Sequence, residues 1–146
     1  MEMCRELHAE NGIFTLAEDK VRNLLRRAFD RQGGILGVIG PPGHLEGMIY
    51  LLMSSMWYSN DPCWEELYTY VRPLYRKSRN AIDLLHFSKW ASEESNFPLF
   101  IGVISNEQTE RKVQLYQRQF DKPVGNFFLF NYGANGSASS ASGSKH

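Results

Sequence analysis

The sequence predicts an α/β (α+β) domain, with helices packed on a mixed sheet. Three observations carry that expectation. Segments with apolar residues three and four apart alternate with short runs rich in β-branched and aromatic residues. The turn Gly40-Pro41-Pro42-Gly43 separates two of those runs, which is a hairpin signal. A wholly apolar run, Leu99 to Ile104, has the composition of a buried central strand.

Leu16 to Arg31 reads as the first helix, because Val21, Leu24, Leu25, Ala28 and Phe29 recur on one face. Thr15 is placed to cap it, with Glu18 three residues on as in a capping box. Gly33-Gly34 stops it. Ile35 to Ile39 and Leu45 to Met56 then form the hairpin, with Gly47 marking a bulge or a close backbone approach. Ser59 to Pro62 is a loop. Cys63 to Val71 is a third strand, ended by Pro73. The next helix, Ser78 to Glu94, gathers Ala81, Leu84, Leu85, Ser88, Trp90 and Ala91 near one face, and Phe97-Pro98 breaks it. Leu99 to Ile104 follows. Thr109 to Phe120 is a helix with Val113, Leu115, Tyr116 and Phe120 on its apolar side, and Phe127 to Tyr132 is a final strand.

The 146 residues suffice for one domain with a core, here residues 1–132. The Gly-, Ala- and Ser-rich tail, residues 133–146, has nothing to bury and is expected to be disordered. Sixteen basic and sixteen acidic side chains balance, so no global basic field exists to hold nucleic acid. No apolar run approaches membrane-spanning length, and the N-terminus lacks a signal-peptide core. Cys4 and Cys63 are far apart with no metal-like spacing, which fits two reduced thiols in a cytoplasmic protein. His8, His44 and His86 have no ligand spacing either, so no metal is expected.

The segment Val71-Arg72-Pro73-Leu74-Tyr75-Arg76-Lys77-Ser78-Arg79-Asn80-Ala81 carries the most chemistry. It joins a strand to a helix start through a basic loop. The first turn of a helix has backbone N–H groups without intrahelical acceptors, and its dipole favours an anion there. Arg76, Lys77 and Arg79 add formal charge at the same place. On the preceding strand, plain alternation puts Glu65 and Glu66 on opposite faces, with Glu65 beside Leu67, Thr69 and Val71.

The loop resembles the pyrophosphate-binding loop of the GCN5-related N-acetyltransferase (GNAT) superfamily, Gln/Arg-x-x-Gly-x-Gly/Ala. Two more segments resemble that family in the same order: Ile101-Gly102-Val103-Ile104-Ser105-Asn106 as its fifth strand, and Leu115-Tyr116-Gln117-Arg118-Gln119-Phe120 as its last helix motif. The resemblance covers residues 16 to 130, and the loop is also similar to those of phage-encoded members. It implies a twisted, mostly antiparallel mixed sheet with helices on both faces. A first strand could lie in Met3 to His8, or be missing. It also implies direct transfer of an acyl group from acetyl-CoA to an amine acceptor, a small molecule or a protein, in a cleft between two splayed strands. The backbone of Thr69, Tyr70 and Val71 would flank the pantetheine arm. Arg76, Lys77, Ser78, Arg79, Asn80, Ala81 and Ile82 would hold the pyrophosphate. Asn106 would touch the pantetheine, Tyr116 would protonate the sulfur, and Glu65 would serve as general base. Arg79 stands where the family usually has Gly, which fits only if its φ is helical and its side chain turns outward.

Blander readings stand beside these. Tyr116 on a helix face fits ordinary core packing. Glu65 and Glu66 fit solvated or ion-paired acids, and Glu66 is the second candidate base. Met48, Met53, Met56, Trp57 and Tyr58 fit strand packing, with an acceptor pocket wall or a homodimer contact as the functional alternative. Cys63 lacks a neighbouring His to activate it as a nucleophile. The competing functions are a phage-type enzyme modifying a nucleic-acid base on the same fold, disfavoured by the neutral charge, and a non-catalytic protein that binds CoA or a partner protein.

Overall fold

The computed structural model describes residues 1–104 and 109–131 of the chain. Its frame is a sheet of β1 (Gly34–Ile39), β2 (Gly47–Ser54), β3 (Cys63–Val71) and β4 (Leu99–Phe100), in that spatial order. β1, β2 and β3 pair antiparallel, and β4 lies parallel to β3. Around the sheet are α1 (Glu2–Asn11), α2 (Glu18–Phe29), α3 (Asn80–Ser95) and α4 (Thr109–Phe120), with one 3-10 turn at Pro73–Tyr75. The sheet is mixed, as the sequence pattern predicts, and it is mostly antiparallel with helices on both faces, as the family resemblance implies.

Strand alternation feeds two apolar layers. On one face Ile49, Leu51 and Val71 meet Leu84 and Ala91 of α3. On the other, Met48 and Tyr70 meet Met3 and Cys4 of α1, with Val21 and Leu25 of α2 alongside. Tyr50 is fully buried, and its hydroxyl donates to the Leu24 carbonyl at 2.6 Å, fastening α2 to the sheet. Gly47 is the close approach foreseen: a Cβ there would stand 3.0 Å from the Tyr70 carbonyl oxygen and 3.3 Å from Leu84 and Val71. Both cysteines are buried and free.

Several boundaries differ from expectation. Met3 to His8 is helical, not a strand. Met3, Cys4 and Leu7 turn to the sheet at helical spacing, while Glu2 and Glu6 reach Arg72 and Glu10 reaches Arg76. Thr15 does not cap α2; Ala17 holds that position and no side chain caps. β2 ends at Ser54, so Met56, Trp57 and Tyr58 lie off the sheet, and Trp57 is 94% exposed. β4 stops at Phe100, because its partner strand diverges and residues 101–104 find no ladder. Phe127 to Asn131 forms no strand, and Phe128 and Phe130 stay exposed. Tyr132 and the 133–146 tail lie outside the described residues. No described helix is long and apolar enough to cross a membrane.

Candidate active site

β3 and β4 touch only at their starts. Trp64 pairs with Leu99 and Glu65 with Phe100, and the ladder then ends. From Glu66 onward β3 keeps β2 on one side and has an open edge on the other. A wedge opens there, with the backbone of Thr69, Tyr70 and Val71 along one wall. Such an edge offers unpaired N–H and C=O groups to an extended ligand.

The side chains in the wedge follow from a β-bulge. The β2–β3 register runs Ile49↔Thr69, Tyr50↔Tyr68, then Leu51↔Glu66, so Leu67 is an extra residue. Residues opposite each other in a ladder share a face. Ile49 and Leu51 face α3, so Thr69 and Glu66 do too. The face assignment of Glu65 by plain alternation is thereby corrected. Glu65 pairs with Leu52, is exposed, and points away from Thr69 and Val71. A single bulged residue inverts every side chain beyond it.

Glu66 meets Tyr116 of α4, whose hydroxyl donates toward Glu66 Oε2 in a long 3.5 Å contact. Desolvation pushes the Glu66 carboxyl up to about 8, against the opposing pull of the Gly102 backbone, Tyr116 and Lys112. Tyr116 is also raised, by desolvation first and the Glu66 charge second, so its phenol keeps its proton. Thr69 stands beside that hydroxyl, yet its buried Oγ1 makes no hydrogen bond of good geometry. Lys112, half-buried on α4, is lowered by desolvation and lies within electrostatic reach of Glu10, Arg76 and Glu66. Acid, phenol and amine thus converge at the mouth of the wedge.

The loop after β3 leads into α3. Arg79 caps α3 with φ −82°, an ordinary conformation, and its side chain turns outward to within 4.0 Å of Asp83. No glycine is required there. Ser78 Oγ accepts from the Asn80 N–H, and Asn80 Nδ2 donates to Glu46. The first-turn N–H groups of Ala81 and Ile82 find no acceptor among the described residues. Both residues line a cleft of about 330 Å³ between the start of α3 and α4. Arg76, Ser78, Ala81 and Ile82 line one side, and Arg111, Gln114, Leu115 and Arg118 the other. Lys77 and Arg79 are exposed outside it. Helix-start N–H groups beside three arginines suit a phosphate-bearing anion.

Arg72 and Arg76 are less available than the sequence suggested. Arg72 grips Glu6 through two hydrogen bonds of 2.9 and 2.8 Å and also donates to the Leu45 carbonyl. Arg76 pairs with Glu10, donates to the Val71 carbonyl, and lies 5.7 Å from the centre of the Tyr70 ring. Asn106 lies outside the described residues. Sequence reasoning passed over Arg111 and Arg118, whose spacing of seven sets both on one side of α4. Plain alternation favours Glu65 over Glu66, because no pattern in the strand announces the bulge. No cluster of metal-binding side chains occurs among the described residues.

No protein-family model and no curated protein matches the sequence. Solved structures of similar fold do. An acetyltransferase from Trypanosoma brucei is 14% identical with a TM-score of 0.61, over 82% of this chain and 83% of that one. A GCN5-related N-acetyltransferase from Ralstonia eutropha is 17% identical with a TM-score of 0.61, over 79% and 76%. AAC(6′)-Iy in complex with the bisubstrate analogue CoA-S-monomethyl-acetylneamine is 11% identical with a TM-score of 0.62, over 78% and 79%. The wedge, the basic loop and the helix that follows it therefore stand on the fold of the GNAT acetyltransferases.

Proposed function

We propose that this chain is an acyl-CoA-dependent N-acyltransferase, with acetyl-CoA as the acyl donor and an amine as acceptor. The observation that carries the reading is the Glu66–Tyr116 pair at the open edge of β3, beside a cleft ready for phosphates. The donor supplies an activated thioester. Its phosphates would be held by the Ala81 and Ile82 N–H groups, Ser78, Arg111 and Arg118, and its arm by the edge of Thr69 to Val71. Asn106 is retained as a pantetheine contact on the family resemblance. Glu65 is not retained as the base, because it faces away.

The chain's part is orientation and proton transfer. As the amine nitrogen bonds to the acyl carbon and the carbon–sulfur bond breaks, Glu66 accepts the amine proton. Tyr116 donates its hydroxyl proton to the departing sulfur. The Glu66–Tyr116 contact then returns a proton from the acid to the phenolate, so the pair ends as it began. A carboxyl lifted to about 8 is a stronger base than an ordinary one, and a phenol held above its usual range retains its proton until the sulfur leaves. Neutral overall charge favours this reading over an enzyme acting on nucleic-acid bases.

Titration calorimetry with acetyl-CoA tests the reading, followed by release of CoA thiol in the presence of an amine panel. One-to-one binding and amine-dependent thiol release are expected. Absence of binding by the folded protein would reject it.

A further inference from the structure

Arg76 lines the cleft, yet it already has a carboxylate partner in Glu10 of α1, each side chain about one-third exposed. We propose that Glu10 is an internal competitor for the anion site: it occupies Arg76 until a ligand with several phosphates displaces it, and so sets which anions the cleft accepts. This rests on the reading that the cleft receives the phosphates of an acyl-CoA.

The arrangement suits exchange rather than a fixed strut. α1 does not need Glu10 to stay docked. Arg72 binds Glu6 bidentately and lies 3.4 Å from Glu2, and Met3 and Cys4 are buried against the sheet. Glu10 sits one residue from the end of α1, where the chain turns at Gly12. The Arg76 guanidinium stays anchored without Glu10, its Nε–H donating to the Val71 carbonyl and its Cζ lying 5.7 Å from the centre of the Tyr70 ring, while the terminal nitrogen that holds Glu10 can change partner. A released Glu10 also has a second cation within electrostatic reach, Lys112 of α4. Its charge would not be stranded, which is the usual penalty for breaking a pair. Arg111 and Arg118 face the cleft with no ion pair among the described residues, so they would receive a ligand's first phosphate. A single phosphate would bind them and leave Glu10 on Arg76. A polyphosphate reaching the loop would take Arg76 as well.

The full chain and its Glu10→Gln variant are titrated by calorimetry with CoA, inorganic pyrophosphate and inorganic phosphate. The amide keeps the shape and removes the charge, and near-UV circular dichroism reports whether α1 stays docked. CoA and pyrophosphate should bind Glu10→Gln about two- to fivefold more tightly, the scale of one partly exposed ion pair. Inorganic phosphate should change by less than about twofold, since it does not reach Arg76. The gain should vanish in the Arg76→Gln background, where nothing remains to compete for. Weaker CoA binding by Glu10→Gln would make Glu10 a positioning residue and overturn the proposal. Equal CoA affinities would also overturn it while leaving the acyl-CoA reading intact. A pyrophosphate gain without any CoA binding would uphold the competition and reject the acyl-CoA reading. Failure of every anion to bind either protein would end both.

Discussion

Glu66 and Tyr116 show how much one residue's surroundings decide. Both side chains are of ordinary type; burial beside each other raises both their pKa values, which is what the proposed base and acid require. Tyr116→Phe keeps the ring, its edge contact with Phe120 and the fold, and removes only the hydroxyl. kcat should fall at least about tenfold with acetyl-CoA affinity unchanged, measured by thiol release and calorimetry. Glu66 gives a pH signature. Its folded pKa of about 8 lies above that of an unfolded carboxyl, so the folded state binds the proton more tightly. The resulting stability is fully present below the unfolded value, near pH 4.5, and is lost as pH rises toward 8. Thermal melts should therefore fall across that interval, and Glu66→Gln should flatten the decline. Activity moves the other way, because the base must be ionised: kcat/KM should climb toward a plateau above about pH 8. A pH-independent kcat/KM would remove Glu66 from the chemistry.

At the scale of elements, the long, periodic pieces were legible and the exceptions were not. The Cys63–Val71 strand and the Thr109–Phe120 helix fall where their sequences put them. Two elements beside the site escape the sequence pattern for physical reasons. α1 mixes charge with few apolar residues, so its period is faint; the sharper signal was Glu2, Glu6 and Glu10, one turn apart, which declares a helical face seeking arginines. The bulge at Leu67 depends on the β2–β3 pairing, a long-range property that strand alternation alone cannot supply. The close approach at Gly47 was readable because glycine inside a strand has few other uses. Gly47→Val would drive methyl groups into the Tyr70 carbonyl, Leu84 and Val71. We expect a loss of about 1–3 kcal/mol in urea unfolding. The same change should weaken acetyl-CoA binding, since Val71 and Leu84 carry the turn from β3 into α3.

For the molecule as a whole, the placement of charge matters more than its sum. The net charge is zero, yet the acids of α1 neutralise Arg72 and Arg76 while Arg111 and Arg118 are left facing the cleft. A second group of cations, Lys20, Arg22, Arg26 and Arg27, lies exposed on α2, preceded by Glu18 and Asp19. If anion binding followed overall electrostatics, reversing either group would act alike. If it follows the cleft, only one will matter. Arg111→Glu/Arg118→Glu and Arg22→Glu/Arg26→Glu change the net charge equally. The first pair should weaken CoA by at least about tenfold, because two charge-assisted contacts become repulsions in a partly enclosed site. The second should change it by less than about twofold, since α2 packs on the opposite face of the sheet from α3 and exposed charges are screened by salt. The CoA affinity of the unaltered chain should also fall with salt, and that dependence should shrink in the first variant alone. Labelled duplex DNA should bind none of the three more tightly than the non-specific range of about 0.1 mM to 1 μM. Equal losses of CoA affinity from both pairs would mean that the α3–α4 cleft is not where the phosphates go.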